Sequence, residues 1–200
     1  MGYLIAVIVL GFAWSLSYLW LNRPSVTEIE VLNPEGRAGT ALVVDHPGRG
    51  SFHVQVVSGY VEGLVAGGWR VERTTASRET PTDLSGYDLL VLGTPTYWFS
   101  PSWPIVRYLR WLRDLAGQRT VTIVTGMGAA ERAAARLQKR VQAANGSLAQ
   151  GLLYYWMRPN DHENDVDMAQ NKALAVQTAT QAARAISQLG KDTEARDQHG

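Results

Sequence analysis

Apolar and polar positions alternate along most of the chain in blocks that predict strands and helices in turn. Short runs rich in Val, Leu and Ile predict strands at residues 40–44, 87–93, 120–125 and 148–156, and a more polar run at 69–75 is typical of a sheet edge. Segments with apolar residues on one helical face follow them, at residues 51–66, 104–115, 129–144 and 167–189. This order predicts a doubly wound α/β domain with a parallel sheet, in which ligands bind beyond the carboxyl ends of the strands.

An uncharged and mostly apolar stretch covers residues 1–22. It has about the 20 residues that a helix needs to cross a bilayer, and Tyr18 and Trp20 at one end suit the interface. We therefore expect a single transmembrane helix. The alternatives are a cleaved signal peptide, disfavoured because no basic residue precedes the apolar run, and a buried core helix. Arg23 and Arg37 follow the stretch, so the positive-inside rule places the rest of the chain in the cytoplasm.

Composition refines this division of the chain. We expect a transmembrane anchor at residues 1–22, a linker at 23–38 that contains Pro34 and Gly36, one folded domain at 39–190 and a mobile tail at 191–200. The formal net charge of +1 disfavours nucleic acid as a partner. The sequence has no cysteine, which excludes disulfides, thiolate metal sites and a thiol nucleophile.

The loop after the first predicted strand is a candidate phosphate site. It contains Gly48, Arg49 and Gly50, and Ser51 is placed to cap the helix that follows. Free N–H groups at a helix N-terminus together with a guanidinium can cradle a phosphate. The alternative is an ordinary turn with glycines and a capping serine.

A second loop, residues 93–100, follows the most apolar strand and carries three consecutive aromatic residues, Tyr97, Trp98 and Phe99. Because connecting loops run over the surface, we expect a ligand to stack on at least one of these rings. The alternative is a hydrophobic lid or a dimer contact that buries one or two of them.

The order of elements, the strand that ends in Gly93-Thr94-Pro95-Thr96-Tyr97 and the loop into the first helix resemble the flavodoxin-like superfamily, which includes flavodoxins and NAD(P)H:quinone reductases. The resemblance covers about residues 39–189. It implies a five-stranded parallel sheet of order 2-1-3-4-5, with FMN at the switch point between the first and third strands. The FMN-binding residues that it implies are His46, Gly48, Arg49, Gly50 and Ser51 at the phosphate, Thr94, Pro95, Thr96, Tyr97 and Trp98 at the ring, and Gly126, Met127 and Gly128 in a third loop.

The first loop departs from the hydroxyl-rich phosphate loop of that superfamily. Ser51 is the one hydroxyl that remains, and Pro47 has no N–H to donate. Arg49 would supply charge in place of the missing hydroxyls. The departure keeps a second hypothesis open, a flavin-free binding or scaffold module tethered to the membrane.

Other motifs are weaker. Residues 126–131 resemble part of a dinucleotide fingerprint but lack its third glycine and follow the fourth strand. The acidic residues 161–167 suit the positive end of a helix better than a cation site. The four histidines lack metal-site spacing, and a hydrolase is set aside because no G-x-S-x-G elbow occurs.

Basic residues cluster on two predicted helices. Arg132, Arg136, Lys139 and Arg140 share one face, which is either a solvated surface or a contact for anionic lipid. Arg107, Arg110 and Arg113 would extend that surface.

These expectations combine into a membrane-anchored FMN protein with a cytoplasmic domain. It would transfer electrons or reduce a quinone near the bilayer, with NAD(P)H or a protein as the electron donor. No side chain is expected to be catalytic, because the flavin performs the chemistry, and no metal is expected, because the histidines lack metal-site spacing. The sequence leaves open whether the chain is an enzyme, whether electrons move singly or in pairs, and whether it forms a homo-oligomer.

Overall fold

A computed structural model of the chain describes residues 2–160 and 167–197. Five helices and seven strands occur in these ranges, in the order α1 (Gly2–Leu21), β1 (Glu30–Leu32), β2 (Thr40–Asp45), α2 (Ser51–Ala66), β3 (Arg70–Thr75), β4 (Leu89–Tyr97), β5 (Ser100–Pro101), α3 (Trp103–Leu112), β6 (Arg119–Gly126), α4 (Glu131–Ala143), β7 (Ser147–Tyr155) and α5 (Met168–Asp197). Each predicted strand and helix has a counterpart among them.

One mostly parallel sheet forms the centre of the domain, with the order β1-β3-β2-β4-β6-β7. The five predicted strands are β2, β3, β4, β6 and β7, and they are parallel in the expected order 2-1-3-4-5. The predicted count of five strands is too low, because β1 adds to β3 and β5 adds to β4, both antiparallel. The strand predicted at the edge, β3, is therefore covered by β1.

Helices cover both faces of the sheet. Successive residues of β2 point to opposite sides, so that Val43 joins a core with α2 and α5 while Leu42 joins a second core with α3 and α4. Tyr60 and Tyr108 are the largest fully buried side chains of these two layers. The continuous apolar run of β2 follows from this burial on both faces.

Helices α2 and α5 approach each other closely, and Gly63 permits the approach. A Cβ atom at Gly63 would collide with the backbone oxygen of Thr180 and with the Cβ atom of Ala183. The close packing fixes the position of α2, whose first turn borders the loop after β2.

Helix α1 carries much of the exposed apolar surface. Val7, Leu10, Phe12, Trp14 and Leu19 are each more than half exposed. Within the part of the chain that the structure describes, no helix combines the length and the hydropathy needed to cross a membrane.

The segment predicted to be a linker, residues 23–38, is partly structured. It contains β1, and Thr27 forms hydrogen bonds through its N–H and its hydroxyl with Oγ1 of Thr75 at 3.2 and 3.3 Å. Strand β1 has only three residues, too few to show an apolar pattern in the sequence. It forms because it pairs with β3. At the other end of the chain, α5 continues to Asp197 into the predicted tail, and residues 198–200 lie outside the described residues.

Candidate functional site

The loop between β2 and α2 is shaped by a glycine and ends in an uncapped helix. Gly48 has a φ of 67°, and a Cβ atom there would lie 2.6 Å from the hydroxyl oxygen of Tyr97. The prediction that Ser51 caps α2 is wrong, because Gly50 holds the cap position in an extended conformation and no side chain caps the helix. Ser51 is instead the first residue of α2 and is exposed. The first-turn N–H groups therefore have no side-chain partner in the cap, which suits an anion.

Arg49, in the same loop, contacts the end of α1. Its Nη2 donates a hydrogen bond of 2.8 Å to the backbone oxygen of Trp20, and its guanidinium carbon lies 4.3 Å from the centre of the Trp20 ring. A cation at the C-terminal end of a helix is favourable because the last carbonyl groups carry partial negative charge. In this arrangement the guanidinium stabilises the docking of α1 beside the loop.

The aromatic segment after β4 forms a tight hairpin. Strand β4 extends four residues beyond the predicted end at Gly93, because Thr94 and Pro95 pair with β6. Tyr97 pairs with Ser100, which leaves Trp98 and Phe99 as a two-residue turn with φ values of 51° and 58°. Both residues thus adopt a conformation that favours glycine or asparagine. Bulky residues in such a turn are strained, and strain of this kind concentrates at functional sites.

The rings of Tyr97 and Trp98 pack against different parts of the chain. The Tyr97 ring meets the His46 ring edge to face, with 6.1 Å between centres, and so lies against the first loop. Trp98 is 44% exposed and stacks on Trp14 of α1, with ring centres 3.8 Å apart and an angle of 22° between the planes. Trp98 therefore presents a flat surface that already accepts an aromatic partner.

The third predicted loop lies next to the aromatic segment. Gly126 ends β6, and a Cβ atom there would lie 2.5 Å from the Cβ atom of Ala130 and 3.5 Å from Oγ1 of Thr96. Met127 is exposed, and its backbone oxygen accepts a hydrogen bond of 2.9 Å from the N–H of Met157. Since β2, β4 and β6 are neighbours in the sheet, the three predicted loops meet at its carboxyl edge.

A buried polar cluster that the sequence analysis missed lies beside the first loop. Nδ1 of His53 lies 3.0 Å from Oγ1 of Thr125, and Nε2 of His53 lies 3.9 Å from Oδ2 of Asp45. Arg73 contacts the other carboxylate oxygen of Asp45 at 3.6 Å. Among the described residues, Nε2 of His53, Oδ2 of Asp45 and Nδ1 of His46 have no hydrogen-bond partner.

Burial decides the charge state of this cluster. It lowers the pKa of His53 to about 3 and also lowers the pKa of His46, so both imidazoles are neutral at pH 7. Burial raises the pKa of Asp45, and the nearby Arg73 opposes that change. The contact between His53 and Asp45 is therefore not an ion pair at pH 7. Gly93 makes room for the cluster, because a Cβ atom there would lie 2.9 Å from that of Asp45, but no pattern in the sequence marks this contact.

Some motifs fall outside this site. Most of the acidic stretch, residues 161–166 including His162, lies outside the described residues. Its last residue, Asp167, caps α5 by accepting hydrogen bonds of 2.8 Å from the N–H groups of Ala169 and Gln170. No group of three or more metal-ligating side chains occurs in the described ranges.

Comparisons with known proteins identify the fold. No family model and no curated protein matches the sequence. A flavodoxin from the domain Archaea superposes with a TM-score of 0.59 at 12% identity, covering 76% of this chain and 99% of its own. An azoreductase from Bacillus anthracis str. Sterne gives 0.56 at 12%, covering 73% and 99%. An NAD(P)H:quinone oxidoreductase from Methanothermobacter marburgensis gives 0.53 at 15%, covering 74% and 94%. The chain therefore has the flavodoxin-like fold that the sequence predicts.

Proposed function

We propose that the chain is a flavin-binding redox protein and that its flavin is FMN. The observation that carries this proposal is the meeting of three loops at the switch point between β2 and β4, where Tyr97 lies against the loop that leads into the uncapped start of α2 and is followed by the partly exposed ring of Trp98. The names of the structural neighbours, flavodoxin, azoreductase and NAD(P)H:quinone oxidoreductase, support the same chemical class.

The residues present fit such a ligand at both ends. The N–H groups of the first turn of α2 would bind the phosphate, and Gly48, which has no Cβ atom, lets the loop backbone lie close to the hydroxyl of Tyr97. Trp98 would stack on the ring system, and residues 126–128 would line its other side. A flavin bound there supplies the electron-transfer chemistry. The part played by the chain is to bind and orient the ring and to limit its contact with water.

Helix α1 contacts two groups that the ligand would use, the ring of Trp98 and the guanidinium of Arg49. Trp14 stacks on Trp98, and the carbonyl of Trp20 accepts the hydrogen bond from Arg49. A flavin that stacks on this face of Trp98, or a phosphate bound by Arg49, requires α1 to move. The structure thus corresponds to a covered form, and we expect ligand binding and α1 docking to exclude each other.

The exposed apolar side chains of α1 favour attachment to a membrane once the helix leaves the site. We propose that α1 attaches the chain to a bilayer and that the domain lies on the cytoplasmic side, as Arg23 and Arg37 favour. A lipid-soluble quinone would then be a natural electron acceptor, with NAD(P)H or a protein as donor. Extraction of membranes with alkaline carbonate tests the attachment, and release of the intact chain would contradict it.

The flavin proposal is tested by titrating the purified full chain in neutral detergent with FMN. We expect saturable binding, and in a Trp14→Ala background, where the stack that covers Trp98 is already absent, Trp98→Ala should weaken it several-fold because it removes the stacking surface. Phe99→Ala is the matched control, since Phe99 is exposed on the same turn and has no aromatic partner among the described residues. Equal binding by the two variants would contradict the assignment of Trp98.

A flavin-free binding module is the second candidate. It is favoured by the loss of hydroxyls from the first loop and by the engagement of Arg49 and Trp98 with α1. A purified chain that is colourless and shows no saturable FMN binding would support this candidate over the first.

A further inference from the structure

Helices α3 and α4 form a groove rich in arginine on the face of the domain beside α1. One cavity of about 310 Å³ is lined by Arg110, Arg136 and Arg140 together with Tyr18 of α1. A second cavity, of about 250 Å³, continues past Arg110 and Arg140 to Arg113. The sequence placed these arginines on separate helices, and the fold brings them together.

Among the residues that the structure describes, no carboxylate balances the positive charge of this groove. No Asp or Glu lines either cavity, and Arg110, Arg113 and Arg140 form no ion pair with the described residues. The nearby Asp114 accepts hydrogen bonds from the N–H of Ala116 and from Asn145. Guanidinium groups held together in this way repel one another, and an anion in the groove would relieve that repulsion.

One arginine of the groove is held in place. Nη1 of Arg136 donates hydrogen bonds of 3.2 Å to the backbone oxygen of Phe99 and 2.6 Å to the hydroxyl of Ser100. Arg110 and Arg140 line the same cavity and are exposed. One cavity thus brings together three guanidinium groups, which are the donors that proteins use to recognise phosphate.

We propose that this groove binds the phosphate group of an anionic phospholipid. Tyr18, in the last turn of α1, lines the cavity when α1 is docked. Only residues 22–24 separate α1 from Ser25, whose backbone oxygen is bonded to Thr75 of β3, so a bilayer that holds α1 keeps the groove near the membrane interface. The groove would therefore lie at the level of the headgroups. The phosphate site stands on the groove alone, whereas the choice of a lipid as its source rests on the proposed membrane attachment and not on flavin binding.

The test uses the full chain in neutral detergent micelles, with phosphorus NMR to follow binding. Dihexanoylphosphatidylglycerol is the anionic probe, dihexanoylphosphatidylcholine the zwitterionic one and inorganic phosphate the soluble one. We expect saturable binding of the first and none of the second. The double variant Arg110→Gln/Arg140→Gln should bind the anionic lipid about thirty-fold more weakly, from a contribution of about five-fold for each basic residue near a lipid surface.

The matched control is the double variant Arg132→Gln/Arg184→Gln. It removes the same charge from exposed positions on α4 and α5 that do not line the groove. Equal losses in the two double variants would overturn the site, because net charge alone would then explain binding. Inorganic phosphate that binds as tightly as the lipid would overturn the lipid as source. Thermal melting of both variants confirms that they are folded, so the comparison remains decisive.

Discussion

Replacing Trp14 by alanine should increase the affinity of the chain for flavin. Trp14 stacks on the face of Trp98 that the proposed ring would use, so docked α1 lowers the fraction of molecules that can bind. The apparent dissociation constant is the intrinsic constant divided by that competent fraction. Loss of an aromatic stack removes about 0.5–1.5 kcal/mol from the covered form. Affinity should therefore rise about two- to twelve-fold where the covered form dominates.

The assay is quenching of flavin fluorescence by increasing concentrations of the full chain in neutral detergent. Phe12→Ala is the matched control, because Phe12 is an exposed aromatic residue of the same helix without a ring partner among the described residues. In a Trp98→Ala background, Trp14→Ala should have no effect on affinity, since the stack is already absent.

Two outcomes separate the possible failures. An affinity for Trp14→Ala equal to or lower than that of Phe12→Ala would refute the covering role of Trp14 and leave the flavin proposal intact. Absence of quenching by the parent and by every variant would instead refute the flavin proposal.

Two further predictions concern the buried cluster. Gly93→Ala should lower the free energy of unfolding by about 1–3 kcal/mol in denaturant titrations, because the new Cβ atom would press on Asp45 and Val57, whereas Gly86→Ala, which points into open space, should change it little. Because the pKa of His53 is lowered, the unfolded chain takes up a proton below about pH 6.5, whereas the folded chain takes it up only near pH 3. The free energy of unfolding should therefore fall as the pH decreases from about 6.5 to 3, by up to about 1.4 kcal/mol per pH unit. His53→Gln should make the free energy of unfolding depend less on pH than in the parent. The raised pKa of Asp45 acts in the opposite direction in the parent and in the variant alike. Identical pH profiles for the two proteins would contradict the lowered pKa of His53.

The sequence predicts the parallel core of the fold well because four of its five strands are apolar runs and all five alternate with helical segments. Strands β1 and β5 escape detection because three and two residues are too few to show a period. The error at Ser51 has a similar origin, since the residue that caps α2 depends on the backbone path after Gly48.

The candidate site is predictable only in part for a related reason. Loops that follow parallel strands must meet at one sheet edge, so the grouping of residues 46–51, 94–98 and 126–128 follows from strand order alone. The burial of His53 against Asp45 depends on how α2 packs on the sheet, and the docking of α1 on Trp98 depends on contacts between segments far apart in the chain. Neither leaves a periodic signal in the sequence.

The hydrogen bonds of residues 25–27 with β3 have a consequence for the reach of α1. The backbone oxygen of Ser25 accepts a hydrogen bond of 2.6 Å from the hydroxyl of Thr75, so only residues 22–24 separate α1 from a fixed point on β3. The four Cα–Cα steps from Leu21 to Ser25 span at most about 14 Å. Because the connection is so short, the effective concentration of α1 at its docking site is at least comparable to the millimolar values that short flexible linkers give. A soluble ligand that binds the Trp98 face must therefore displace Trp14, which is part of the same chain. A bilayer that held α1 would remove this intramolecular competition without any change in the domain itself.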